Sequence, residues 1–88
     1  MFSFGKDPDE KAEKDFKKAE QLFDALQYKK AGKYYTSAAE NYYEIKKFAS
    51  AEEAYFKAAN SFLQEERHIE VLESLRKAAN ASLNQDKY

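Results

Sequence analysis

Apolar residues along this chain recur at three- and four-residue steps, and the whole pattern then returns every twenty residues. Ala51, Tyr55, Ala59 and Leu63 form one stripe, with Ala54, Ala58 and Phe62 beside it. That is the spacing of an amphipathic helix. A shift of twenty residues aligns the sequence with itself without gaps, which is the signature of a repeat architecture. The clearest columns are Ala19, Ala39, Ala59, Ala79; Ala38, Ala58, Ala78; Phe23, Tyr43, Leu63, Leu83; Asp15, Tyr35, Tyr55, Leu75; and Ala31, Ala51, Val71. Tyr28, Phe48, His68 and Tyr88 also fall at equivalent places and mark the expected turns. Four units follow, at about 8–28, 29–48, 49–68 and 69–88, behind a tail of residues 1–7.

Each unit predicts one helix, and the units cannot join into a single rod. Twenty residues at about 100° each rotate equivalent columns by roughly 200°, so an unbroken helix would throw its apolar stripe to the opposite side at every unit. The chain must reverse, which predicts an all-α array of antiparallel helical hairpins. Asp7-Pro8-Asp9-Glu10 supplies an N-cap, a first-turn proline and a glutamate for the first helix, and Ser50-Ala51-Glu52-Glu53 reads as a second capping box. The junctions near Gln27 to Gly32 and near Glu65 to Glu70 rest on the rotation argument alone. In the middle helices the second stripe is apolar (Tyr34, Ala38, Tyr42; Ala54, Ala58, Phe62), while the outer helices carry Lys14, Lys18, Leu22 and Ser74, Ala78, Ser82 there. Both ends are therefore expected to act as partly polar caps and the protein to be a monomer.

Composition narrows the reading. Hydrophobic residues make up 43% and charged residues 35% of the 88, which suits a folded domain, and no apolar run approaches a spanning helix of about 20 residues. Two glycines and one proline suit long helices with short connections. The chain has no cysteine, which removes disulfides, thiol nucleophiles and most structural zinc sites. A net charge of -1 offers no general attraction to nucleic acid. No secretory-type leader is evident, and a cytoplasmic protein is expected.

Catalytic constellations are not evident. His68 has no nucleophile to serve and is expected to pack at a turn; Gly5 and Gly32 are isolated, so no phosphate loop forms. Glu52, Glu53, Glu65 and Glu66 fall where caps and solvated faces place them, without the Glu-x-x-His pairs of a di-metal bundle. A non-enzymatic protein with no cofactor, no metal and no small-molecule substrate is expected. Among the tyrosines, Tyr34, Tyr42 and Tyr43 suit either a core or a binding face. One charged column, Lys17, Ser37, Lys57, Lys77, with Lys18 and Arg76 adjacent, suggests a surface for an acidic helix or bundle; an ordinary solvated face is the plain alternative. In an antiparallel array Lys17 and Lys57 are expected to line one side, with Lys77 across from them.

The helix signature resembles that of the SNAP family, the soluble attachment proteins that link SNARE complexes to a hexameric fusion ATPase. The likeness lies in Ser50-Ala51-Glu52-Glu53-Ala54-Tyr55-Phe56-Lys57-Ala58-Ala59-Asn60, in Ala31-Gly32-Lys33-Tyr34-Tyr35 with Ala38-Ala39-Glu40-Asn41-Tyr42-Tyr43, and in Ala78-Ala79-Asn80. It covers about residues 8–88. A forty-residue hairpin also exceeds the 34-residue unit of ordinary tetratricopeptide repeats. The resemblance implies a right-handed, TPR-like array, and an adaptor that binds a SNARE-type helical bundle in vesicle trafficking or membrane fusion. By it, Lys17, Lys57, Lys77 and Arg76 become partner-binding residues, and Phe2 and Phe4, in Phe2-Ser3-Phe4-Gly5, become weak membrane contacts. The family's C-terminal bundle, which engages the ATPase, has no counterpart here. Two other readings stay open: a generic TPR-like scaffold or self-assembling repeat, and a peripheral membrane binder acting through Phe2 and Phe4.

Overall fold

In the computed structural model, which describes residues 7–85, helices begin at residues 8, 28, 48 and 68. They are α1 (Pro8–Asp24), α2 (Tyr28–Glu44), α3 (Phe48–Leu63) and α4 (His68–Gln85). The twenty-residue interval of the sequence is thus the interval between helix starts, and the fold is all-α. Phe2, Phe4 and Tyr88 lie outside the described residues.

The first helix starts as its sequence predicts. Asp7 is extended (φ -73°, ψ 161°), its Oδ1 accepts from the Glu10 N–H at 2.8 Å, and Pro8 occupies the first helical position. The expected cap at Ser50 is corrected. The α3 N-cap is Lys47, which makes no side-chain cap bond, and Ser50 lies inside the first turn. The reason is the way the preceding turn closes. The Lys47 N–H bonds the Tyr42 carbonyl at 2.9 Å, and the Lys47 carbonyl then accepts from the Ala51 N–H at 2.9 Å, so one residue ends α2 and opens α3.

The same closure recurs at every reversal. Leu26, Lys46 and Glu66 adopt left-handed φ values of 63°, 65° and 55°. The residue after each donates back across the helix end, Gln27 to Leu22 at 2.8 Å and Arg67 to Phe62 at 3.1 Å, in the Schellman pattern. Rings clasp the first two turns from outside: Phe23 on Tyr28 (centroids 5.0 Å, 75°) and Tyr43 on Phe48 (5.1 Å, 76°). Tyr28 and Phe48, expected in the turns, are therefore the first residues of helices. Their counterpart His68 also starts a helix, but it is exposed rather than packed, because the third turn offers Leu63 instead of a ring.

Neighbouring helices are antiparallel. Lys29 at the start of α2 donates its N–H to Glu65 after α3, and Gln85 at the end of α4 bonds Glu52 at the start of α3 at 2.6 Å. α1 and α3 flank a groove floored by Tyr35 of α2, while α2 and α4 flank grooves floored by Phe62 and Tyr55 of α3. The helices therefore zigzag between two layers.

Small residues set the helix spacing. Ala19, Ala31, Ala38, Ala39, Ala51, Ala54, Ala58, Ala78 and Ala81 are at most 0% exposed, so backbones approach closely and the aromatic rings fill what remains. Gly32 is the tightest point: a Cβ there would lie 2.7 Å from Cε1 and Cζ of Phe62. Tyr35 and Tyr55 are core, Tyr42 and Tyr43 half-buried, and Tyr34 exposed.

The two ends of the array differ, and one departs from expectation. On α4 the buried residues are Ser74, Ala78 and Ala81, packed toward α3, so the stripe expected to form a polar outer cap is the inner one. The outer surface carries leucines instead. Small side chains win the inner position because α3 already presents Tyr55, whose ring needs room between Ala38 and Ala39 of α2 and Ala78 and Ala81 of α4.

Candidate interaction surface

One edge of α1 is basic. Lys11, Lys14, Lys17, Lys18 and Gln21 recur at three- and four-residue steps and, with Asp15 and the exposed ring of Tyr34 from α2, line a shallow groove along the α1 edge. This is the stripe that, in α3 and α4, faces the preceding helix; α1 has no preceding helix among the described residues, and lysines occupy it. Asp15 anchors the groove. Its Oδ2 accepts from Lys11 Nζ at 2.8 Å and from the Ser37 hydroxyl at 2.6 Å, tying α1 to α2. Lys17 and Lys18 are exposed and make no ion pair among the described residues.

The lysine column read from the sequence is dispersed over three places. Lys17 belongs to the α1 groove. Lys57, half-buried, lies 5.9 Å from the centroid of the Phe16 ring in a cation–π contact and lines the α1/α3 groove with Glu20 and Asp24. Lys77 approaches Glu40 at 3.8 Å and lines the grooves between α2 and α4. Arg76 stands exposed on the outer surface of α4 and makes no ion pair among the described residues. Lys17 and Lys57 thus line separate grooves, because α1 turns its lysine edge away from α3. Lys11 and Lys14 stand outside the Lys17, Lys57, Lys77 column, although their i, i+3, i+7 spacing with Lys18 is a readable signal in the sequence.

Several titratable groups are shifted by their surroundings. Burial, reinforced by Glu40 and Tyr43, pushes the Tyr55 hydroxyl up to about 12. Burial likewise raises Tyr35, with Glu20, Asp24 and Glu53 adding to it. Hydrogen bonding to Asp9 at 2.8 Å raises Lys47, and bonding to Arg67 at 2.7 Å lowers Glu70. The described residues contain no group of three or more His, Asp or Glu placed to hold a metal, and no helix long and apolar enough to cross a membrane.

The protein is a small all-helical repeat array with one basic edge and one apolar flank. No protein-family model matches the chain, and neither does a curated protein or a solved structure.

Proposed function

We propose that the protein is a non-enzymatic helical-repeat adaptor that binds an acidic helical partner along the lysine edge of α1. The observation that carries this reading is the convergence of Lys11, Lys14, Lys17 and Lys18 beside the exposed Tyr34, a cationic strip with an aromatic contact at its rim. Lysine charges on a rigid helix attract an acidic helix lengthwise, and tyrosine is a frequent anchor at protein interfaces. Lys57 and Lys77 contribute less, since each already engages a neighbour within the fold.

The resemblance to SNAP proteins in the repeated helix signature supports a SNARE-type four-helix bundle as that partner, and vesicle trafficking or membrane fusion as the setting. Pull-down with assembled SNARE bundles tests this. Wild type is retained, Lys14→Glu/Lys17→Glu/Lys18→Glu is lost, and Lys77→Glu keeps most of its binding. Retention of the triple variant overturns the lysine edge as the binding surface. Absence of wild-type binding removes the SNARE assignment and leaves a scaffold for another partner.

A further inference from the structure

Two grooves of the array are built from the same repeat columns but pair their charges differently. Tyr35 floors the groove between α1 and α3, and Tyr55 floors its counterpart between α2 and α4. Glu20 and Lys57 flank the first; their equivalents twenty residues on, Glu40 and Lys77, flank the second. In the second groove Lys77 reaches Glu40 at 3.8 Å. In the first, Lys57 is held over the Phe16 ring, 5.9 Å from its centroid, and Glu20 makes no ion pair among the described residues. The cause lies in the sequence: Thr36 takes the place of Phe16 on α2, so Lys77 has no ring to cover. Asp24, one turn beyond Glu20, and Glu53 on α3 are likewise exposed and make no ion pair among the described residues. Tyr35 is only 4% exposed, yet its hydroxyl makes no hydrogen bond among the described residues and is turned to the groove, within the field of all three carboxylates. Hydroxyls buried to this degree are ordinarily bonded, and this one keeps a donor and two lone pairs to offer.

We propose that the α1/α3 groove is a binding site for an arginine side chain presented by a partner polypeptide. Three carboxylates against one lysine leave the groove net negative, which fixes the sign of its occupant. The carboxylates are not placed to hold a metal ion, so the cation that fits is a larger one. A guanidinium carries five N–H donors in a planar fork, enough to bond Glu20, Asp24 and the Tyr35 hydroxyl together, and it sheds water more readily than an ammonium does. The Tyr35 hydroxyl accepts one of those N–H groups, and Phe23 in the groove wall offers an apolar side to the arginine stem. The site goes beyond the adaptor reading and uses none of the α1 lysines. That edge takes an acidic partner and this groove a basic one, so the two fail separately.

The test titrates isotope-labelled protein with the capped tripeptide glycyl-arginyl-glycine amide and follows backbone amide resonances. Saturable shifts are expected on residues 20–24, on Tyr35 and on residues 53–60. Glu20→Gln/Asp24→Asn is expected to weaken binding by about tenfold or more. Tyr35→Phe, which keeps the ring and the carboxylates, is expected to weaken it about fivefold, the worth of one hydrogen bond. The lysine counterpart of the peptide is expected to bind more weakly than the arginine peptide. Circular dichroism of the variants checks that the array stays folded. Shifts that are absent or spread evenly over the acidic surfaces overturn the proposal. So does equal affinity of Tyr35→Phe or of the lysine peptide, since either leaves only a diffuse attraction of charge. Shifts of the same residues that appear in the protein alone as its concentration rises also overturn it, because they report the lysines of a second copy in the groove.

Discussion

Gly32→Ala is the sharpest probe of how the helices are packed, because two opposing effects meet at one methyl group. Alanine in a helix interior is favoured over glycine by about 1 kcal/mol. The new Cβ, however, would stand 2.7 Å from two atoms of the Phe62 ring and 2.9 Å from a third. Carbon atoms prefer about 3.5–4.0 Å, so the ring has to retreat by about 1 Å. It is 5% exposed and lies in a cluster with Ala31, Tyr35 and Ala58, with Val71 packed against it, so little room is open. Forcing a methylene into such a contact costs about 1–3 kcal/mol, which exceeds or cancels the propensity gain. Gly32→Ala is therefore expected to destabilise by about 0–2 kcal/mol in urea unfolding followed by circular dichroism. On a Phe62→Leu background the clash is relieved and the same change is expected to stabilise by about 1 kcal/mol, a coupling of about 1–3 kcal/mol. Stabilisation by Gly32→Ala in both backgrounds, with no coupling, would refute the close approach of α2 and α3.

Other substitutions test the local arguments. Asp7→Ala removes the cap bond to the Glu10 N–H and is expected to cost about 1 kcal/mol, whereas Ser50→Ala, inside a helix, is expected to change stability by less than about 0.5 kcal/mol. Lys46→Gly removes a left-handed strain of about 1–2 kcal/mol against an entropic cost of about 0.5–1 kcal/mol, so a modest rise in Tm is expected. The raised hydroxyl of Tyr55 gives a pH dependence of definite sign. Its folded state holds the proton more tightly than the unfolded chain, so its contribution is whole below about pH 10 and is lost as pH rises toward about 12. Alkaline unfolding followed by phenolate absorbance is expected in that window, and Tyr55→Phe is expected to blunt it.

The twenty-residue period was readable because every helix and every turn obeys it, down to the left-handed residues Leu26, Lys46 and Glu66. Those turns carry no glycine, and the Schellman closure that forms them uses backbone groups alone, so no side chain announced them. The same fact misled the reading of Ser50, a good cap residue in a helix already started by the backbone of Lys47. On α4, hydrophobicity alone favours leucine over serine for the inner stripe; the bulk of Tyr55 reverses that preference, and Ser74 is buried while Leu72 is exposed. The lysine column was legible in the sequence, but its grouping was not. Lys57 and Lys77 are drawn to Phe16 and Glu40 on other helices, and those contacts lie outside any one-helix pattern.

The adaptor reading is tested most directly by titrating isotope-labelled protein with an assembled SNARE four-helix bundle and following backbone amide resonances. The account predicts shifts or broadening concentrated on residues 11–21 and on Tyr34, weakening as salt is raised. A spectrum that does not respond, or one that responds mainly along the α1/α3 groove around Glu20, Asp24 and Lys57, would contradict it.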